Sequence, residues 1–253
     1  MNDTGLGTPR KVLIRRTALF AALALCLLAL GYAYRQYEVE PRFLHAPKEE
    51  FVALFVAPPA ANSAQTRREL DGLLAIQQRR TPLEVEAARA DRKTEVWQFS
   101  TALGLRPGQI GELKLLGDLA EQVEDDVRPY VRAAKHRFLR LRPYEVETRL
   151  DPCIEDVRGD LSFPSGHATY GYVIAYLLAD MVPERRAQLL ARAQEFARQR
   201  MVCGVHFPSD IEAGRRGAEW LAQRFLASPE YQAAAVSVRR ELREATEEPP
   251  PEF

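Results

Sequence analysis

Apolar positions recur at helical spacing through most of the chain. Leu70, Leu73, Leu74 and Ile76 sit among charged residues in this way. No segment keeps the period-two alternation of a half-buried strand, and no internal repeat is visible. Breakers divide the pattern into segments. Thr81-Pro82-Leu83-Glu84 forms a capping box with proline at the first helical position, which predicts a helix starting at residue 82. Leu105-Arg106-Pro107-Gly108 marks a break before a long helix ending near Leu141, because Pro143 disfavours helical backbone just before it. A loop is expected over 144–162, with Pro152 and Gly159, then helices over 166–181, 184–203 and 208–226. The fold class this predicts is all-α, a compact multi-helix bundle.

The two ends read differently. Lys11, Arg15 and Arg16 precede an almost unbroken apolar run from Ala18 to Tyr34. A basic flank followed by such a run is an export signal or an uncleaved membrane anchor, so residues 1–34 are assigned as signal peptide or anchor helix. Either places the remainder in the periplasm or outside the cell, with single-helix membrane anchoring as the second case. Cys26 lacks a small residue before it, so lipid attachment there is not expected. Residues 35–62 carry Pro41, Pro47, Pro58 and Pro59 and read as an irregular wrap. Residues 63–246 are the helical domain, and 247–253 an acidic, proline-rich, disordered tail.

Composition narrows function mainly by exclusion. Lys and Arg total 35, Asp and Glu 35, so the formal net charge is zero. That balance offers no general basic surface, and binding of a nucleic-acid polymer is not expected. An anionic ligand must instead be caught by a local group of cations. Outside the leader, the thiols are Cys153 and Cys203. In an oxidising compartment they are a candidate disulfide, with two buried, unpaired thiols as the alternative.

Only four histidines exist: His45, His136, His167 and His206. They show no clustered metal-ligand spacing, and no metal or other cofactor is expected. His45 and His136 read as structural or solvent-facing. His167 ends Pro164-Ser165-Gly166-His167 at an expected helix start, where backbone amides attract anions and Ser165 adds a hydroxyl. Alone, that string could equally be a capped helix start with an exposed histidine. His206 stands four residues before Asp210. A carboxylate on one ring nitrogen leaves the other as a directed nucleophile, although Asp210 could simply cap a helix. Lys135 and Arg142 are seven residues apart, which on a continuous helix puts both on one side.

Taken in order, Lys135-x6-Arg142-Pro143, Pro164-Ser165-Gly166-His167 and Arg200-x5-His206-x3-Asp210 resemble the tripartite signature of the type 2 phosphatidic acid phosphatase (PAP2) superfamily. That superfamily also includes the vanadium haloperoxidases. Val202-Cys203-Gly204-Val205-His206, Ser209-Asp210-Ile211-Glu212-Ala213-Gly214 and Pro58-Pro59 look closest to the bacterial class A non-specific acid phosphatases. The resemblance implies a helical bundle of the PAP2 and haloperoxidase type, with 63–246 as its catalytic domain. It implies an acid phosphatase acting on small phosphomonoesters. His206 would be the nucleophile, Asp210 its orienting group and His167 the general acid. Lys135, Arg142, Ser165, Gly166 and Arg200 would hold phosphate. Family members often self-associate, so a homo-oligomer is an open expectation, but no residue marks an interface.

Gln199 departs from the pattern, which has serine there, and altered affinity or specificity is expected from it. The alternatives are a vanadate-dependent haloperoxidase, a lipid-phosphate phosphatase, and a degenerate site that only binds phosphate.

Overall fold

The computed structural model describes residues 41–106, Gln109, 112–154 and 160–247. The apolar leader assigned to 1–34 and the end of the tail lie outside these residues. Among the described residues no helix is long and apolar enough to cross a membrane.

The helices are α1 (Lys48–Ala53), α2 (Ala64–Arg79), α3 (Pro82–Ala90), α4 (Ser100–Leu103), α5 (Lys114–Phe138), α6 (Pro143–Val146), α7 (Gly166–Met181), α8 (Arg186–Val202), α9 (Pro208–Ala227) and α10 (Pro229–Glu247). Single 3₁₀ turns, Val96–Phe99 and Pro183–Arg185, lead into α4 and α8. No strand occurs among the described residues.

The punctuation residues place the helices closely. At the start of α3, Thr81 Oγ1 accepts from the Glu84 amide at 3.2 Å, and Glu84 accepts from the Thr81 amide at 2.9 Å. α7 starts at Gly166 after Ser165, whose hydroxyl accepts from the Ala168 amide, and Pro183 follows its end. Three differences from the expected segmentation stand out. The helix expected to reach Leu141 stops at Phe138, where Leu139 takes a left-handed φ of 52°. The proline-bearing 35–62 wrap contains α1, because Pro47 and Pro58 flank that helix instead of interrupting it. The 144–162 loop opens with the single turn of α6, its first position held by Pro143.

α7 is the central helix. Apolar residues cover nearly all its faces, from Ala168 to Met181, so it must be enclosed by neighbours to bury them. α8 and α9 pack most extensively against it, and α5 covers another side. Close approach to α9 depends on Gly214, where a Cβ would lie 2.8 Å from the Ser165 carbonyl oxygen. The N-terminal segment is tied on by Asp126 of α5, which accepts from the amides of Arg42, Phe43 and Leu44 at 2.6–3.0 Å. Phe43, Phe51 and Phe55 then complete the core. With α7 enclosed, the N-terminus of α7 and the α8–α9 turn meet, which sets the position of the site.

Candidate active site

His206 is carried by the turn between α8 and α9. Gly204, at φ 68°, makes the left-handed step that lets the chain reverse after α8. Cys203, at the end of α8, is disulfide-bonded to Cys153, so one of the two readings of these thiols is realised. The bridge ties the His206 turn to the loop leading towards Asp160. Asp210 follows in the first turn of α9, where it both caps the helix and faces the His206 ring. Its Oδ2 accepts from the Phe207 amide at 2.9 Å as a helix cap, and lies 3.3 Å from His206 Nδ1. Ser162 donates to the same oxygen at 2.5 Å. Arg142 Nη1 lies 2.6 Å from His206 Nε2. A guanidinium can only donate, so Nε2 carries the lone pair and Nδ1 the proton facing Asp210.

His167 is the second residue of α7. Its Nε2 lies 2.6 Å from the carbonyl oxygen of Asp91, an acceptor, so Nε2 carries the proton and Nδ1 the lone pair. The ring stacks on Phe196, centroids 4.4 Å apart. Ser165, fully buried, caps α7 with its hydroxyl and donates its own amide to the Asp210 carbonyl at 3.0 Å. Gly166 is the first residue of the same helix, so its amide belongs to the positively polarised helix start.

The cations converge, although not as the spacing suggests. Lys135 lies in the last turn of α5, whereas Arg142 lies beyond the end of α5 and immediately before α6. They meet because the chain turns back at Leu139. Lys135 Nζ and Arg142 Nη2 reach the same Asp160 oxygen at 2.7 and 2.6 Å. Arg142 also donates to the Val205 carbonyl at 2.8 Å. Arg200, in the last turn of α8, is buried.

The electrostatics tie these groups together. Burial, then Arg142, Arg200, Lys135 and His167, hold His206 well below the usual imidazole range. Burial, then Arg200 and Arg142, push His167 down to about 3, with the Asp91 carbonyl opposing them. Both rings are therefore neutral in the free site at mildly acidic pH. Burial raises the Asp210 carboxyl, and Arg140, Ser162 and the Phe207 amide pull it back. Burial also raises Asp160, but Lys135 and Arg142 outweigh it and the net shift is downward.

Two charged residues at the centre of the site were not singled out from the sequence. Arg140 donates to Asp210 Oδ1 at 2.7 Å, to Ser209 at 2.7 Å and to Glu69 at 2.9 Å, and stacks on the Phe207 ring at 3.8 Å. Asp160 occupies the space between Lys135 and Arg142 and stands in for an anion there. A lone Asp in a loop carries no sequence signal. Arg140 sits in a run with Arg137 and Arg142, of which the motif marks only Arg142. Gln199 is buried and turned onto its own helix, donating to Glu195 at 2.5 Å. His45 and His136 make none of these contacts, although His136 is exposed and lines the adjoining cavity. The described residues contain no group of three or more His, Cys, Asp and Glu side chains placed to share a metal ion.

Residues 127–223 match the model of the PAP2 superfamily. A non-specific acid phosphatase of Salmonella typhimurium is 35% identical over 113 residues, 44% of this chain and 45% of that protein. An acid phosphatase of Zymomonas mobilis is 30% identical over 175 residues, 64% of each chain. The chain thus spans about half the length of the first relative and under two thirds of the second. Among solved structures, a bacterial vanadium-dependent iodoperoxidase superposes with a TM-score of 0.58 at 16% identity, covering 75% of this chain and 57% of that one. That likeness is one of fold.

Proposed function

Because residues 127–223 carry the PAP2 superfamily region, we propose that the chain is an exported acid phosphatase that hydrolyses phosphomonoesters through a phosphohistidine on His206. One observation carries the reading. The three motifs meet in one buried cluster: Arg142 of the first lies 2.6 Å from His206 Nε2 of the third, and the Ser165 amide of the second donates to the Asp210 carbonyl of the third at 3.0 Å.

Phosphomonoester hydrolysis is so slow without a catalyst that on the order of 20 kcal/mol of barrier must be removed. Positioning and charge stabilisation at the phosphoryl oxygens supply most of it. Lys135, Arg142 and Arg200 provide the charge, with the Ser165 hydroxyl and the Gly166 amide as further donors. A phosphate dianion takes the position that Asp160 holds in the free site. Arg142 Nη1 moves from His206 Nε2 to a phosphoryl oxygen, freeing the nitrogen lone pair. Nε2 then attacks phosphorus, the bond to the ester oxygen breaks, and His167 gives its proton to the departing alkoxide. Water attacks the phosphohistidine next, the P–N bond breaks, and His167 takes the water proton.

His167 must be protonated for the first step, yet it is neutral in the free site. Burial is the largest cause of the depression, with Arg200 and Arg142 adding to it, and the substrate's negative charge offsets the two arginines and so favours the protonated ring. Binding therefore takes up a proton, and phosphate affinity rises as pH falls towards the mildly acidic range. The export half of the reading rests on Lys11, Arg15, Arg16 and the run from Ala18 to Tyr34. The mass of the secreted chain distinguishes a cleaved signal from a retained anchor, and a chain found only in the cytoplasm overturns export.

The test is hydrolysis of 4-nitrophenyl phosphate by the full chain, with EDTA and with added vanadate. Activity that persists in EDTA and is blocked by vanadate is the expected result. No hydrolysis, together with vanadate-dependent bromide oxidation, moves the assignment to haloperoxidase chemistry.

A further inference from the structure

Beside the phosphate cradle lies a cavity of about 340 Å³, large enough for a small metabolite but not for a bulky one. Lys135 and Gly166 border it, so a phosphate held in the cradle would direct its ester group into this space. Val127, Val131 and Tyr170 are buried and form an apolar wall. Arg132 lines the cavity and is itself exposed to solvent.

The charges along this wall are unequal in their commitments. Arg128, Arg132 and Lys135 fall at i, i+4 and i+7 on α5, which is one helix face. Arg128 pairs with Glu124 and Asp125, each at 3.3 Å. Glu124 also accepts from Thr94 at 2.8 Å. Lys135 pairs with Asp160 at 2.7 Å. Arg132 makes no ion pair among the described residues. The pairs cancel one another, and Arg132 is left as the cation facing the cavity.

We infer that this cavity is a leaving-group subsite selecting phosphomonoesters whose alcohol bears a second anionic group, recognised by Arg132. The inference rests on the phosphatase reading and names its substrate class. Arg132 and Lys135 are three residues apart, about 4.5 Å along the helix axis. A spacer of two or three carbons between phosphate and the second anion matches that offset. Its carbon atoms lie against Val127, Val131 and Tyr170. Small phosphorylated hydroxy acids have this form. Because Arg132 is exposed, water and salt weaken its pull, and the discrimination it gives is about five- to tenfold.

The experiment compares 3-phosphoglycerate with glycerol 3-phosphate, in which a hydroxymethyl group replaces the carboxylate. Full-length wild type, Arg132→Gln and Arg132→Lys are assayed at low salt. Arg132→Gln is expected to lower kcat/KM for 3-phosphoglycerate about five- to tenfold, mainly through KM, and to change glycerol 3-phosphate less than about twofold. Arg132→Lys retains most of the preference, and about 0.5 M salt erodes it in the wild type. Equal changes on both substrates, or none on either while glycerol 3-phosphate is still turned over, overturn the subsite. If the wild type hydrolyses 4-nitrophenyl phosphate but neither of these, the subsite is overturned; if it hydrolyses none of the three, the phosphatase reading fails and this inference with it.

Discussion

His206 and His167 both answer to Arg142 and Arg200 but are held in different ways. His206 faces a carboxylate across its Nδ1 and is almost sealed from water. His167 gives its Nε2 proton to a backbone carbonyl and lies flat on Phe196. A carboxylate does more than fix a tautomer, since its charge would stabilise the positive ring that the proposed phosphohistidine step creates. A carbonyl fixes the tautomer with little such stabilisation, which suits the proton-donating role proposed for His167. Each partner is in turn held by a further ion pair that joins the N-terminal helices to the rest of the site. Asp210 is held by Arg140, which pairs with Glu69 of α2. Asp91, at the end of α3, is clamped by Arg192 of α8 through both carboxylate oxygens. Glu69 and Asp91 lie outside residues 127–223. Under the proposed function, residues 127–223 would carry the chemistry, while Glu69 and Asp91 from the preceding helices contribute to holding its histidines in place.

Removing each ring in turn strikes hardest at this comparison. His206→Ala is expected to lose about 10⁴-fold or more in turnover on every phosphomonoester. His167→Ala is expected to lose about 10²–10⁴-fold on alkyl phosphates and much less on 4-nitrophenyl phosphate, whose leaving group needs little acid help. Equal losses on both substrates would remove His167 as the acid. A phosphoenzyme trapped in His206→Ala would remove His206 as the nucleophile.

Arg140 comes next. Arg140→Met withdraws the cation that pulls the Asp210 carboxyl down, while burial still pushes it up. Asp210 then ionises only at higher pH, so the acid limb of kcat/KM moves upward. A fall of about 10–100-fold in kcat at low pH is expected, with partial recovery in Arg140→Lys. Breaking a buried pair also costs on the order of 3–5 kcal/mol of stability, so thermal unfolding is followed alongside. A loss of rate with an unmoved acid limb would make Arg140 a packing residue only.

What the sequence disclosed follows from how local each determinant is. The starts of α3 and α7 and the stop after α7 are set by proline, glycine and capping residues within a few positions, and these were readable. His206 with Asp210, and the PSGH string at a helix start, were readable for the same reason. The meeting of Lys135 and Arg142 was expected for the wrong cause, a continuous helix, because a left-handed Leu139 leaves no mark in the sequence. Glu69, Asp91, Arg140 and Asp160 were illegible. Their roles depend on partners about 70 or more residues away, except for the Asp160 pairs with Lys135 and Arg142, 25 and 18 residues away. An ordinary charged residue announces nothing about so distant a contact.

The smallest effect tests whether the bracing of His206 works through charge or through position. Glu69→Gln keeps the size of the side chain and an acceptor for Arg140, but removes a negative charge near Asp210. If charge governs, Arg140 bears more fully on Asp210 and a repelling carboxylate is gone. The Asp210 carboxyl then ionises more readily, and the acid limb moves down by roughly 0.3–0.5 pH unit. That direction is opposite to the one expected for Arg140→Met, and kcat at the optimum stays within about threefold. If Glu69 instead acts by holding Arg140 still, the freed guanidinium drifts from Asp210 and the limb moves up in both variants. Opposite signs in the two pH profiles therefore support an electrostatic series from Glu69 through Arg140 and Asp210 to His206. Matching signs reduce it to a mechanical brace, and the contrast between the histidines then rests on Asp210 alone.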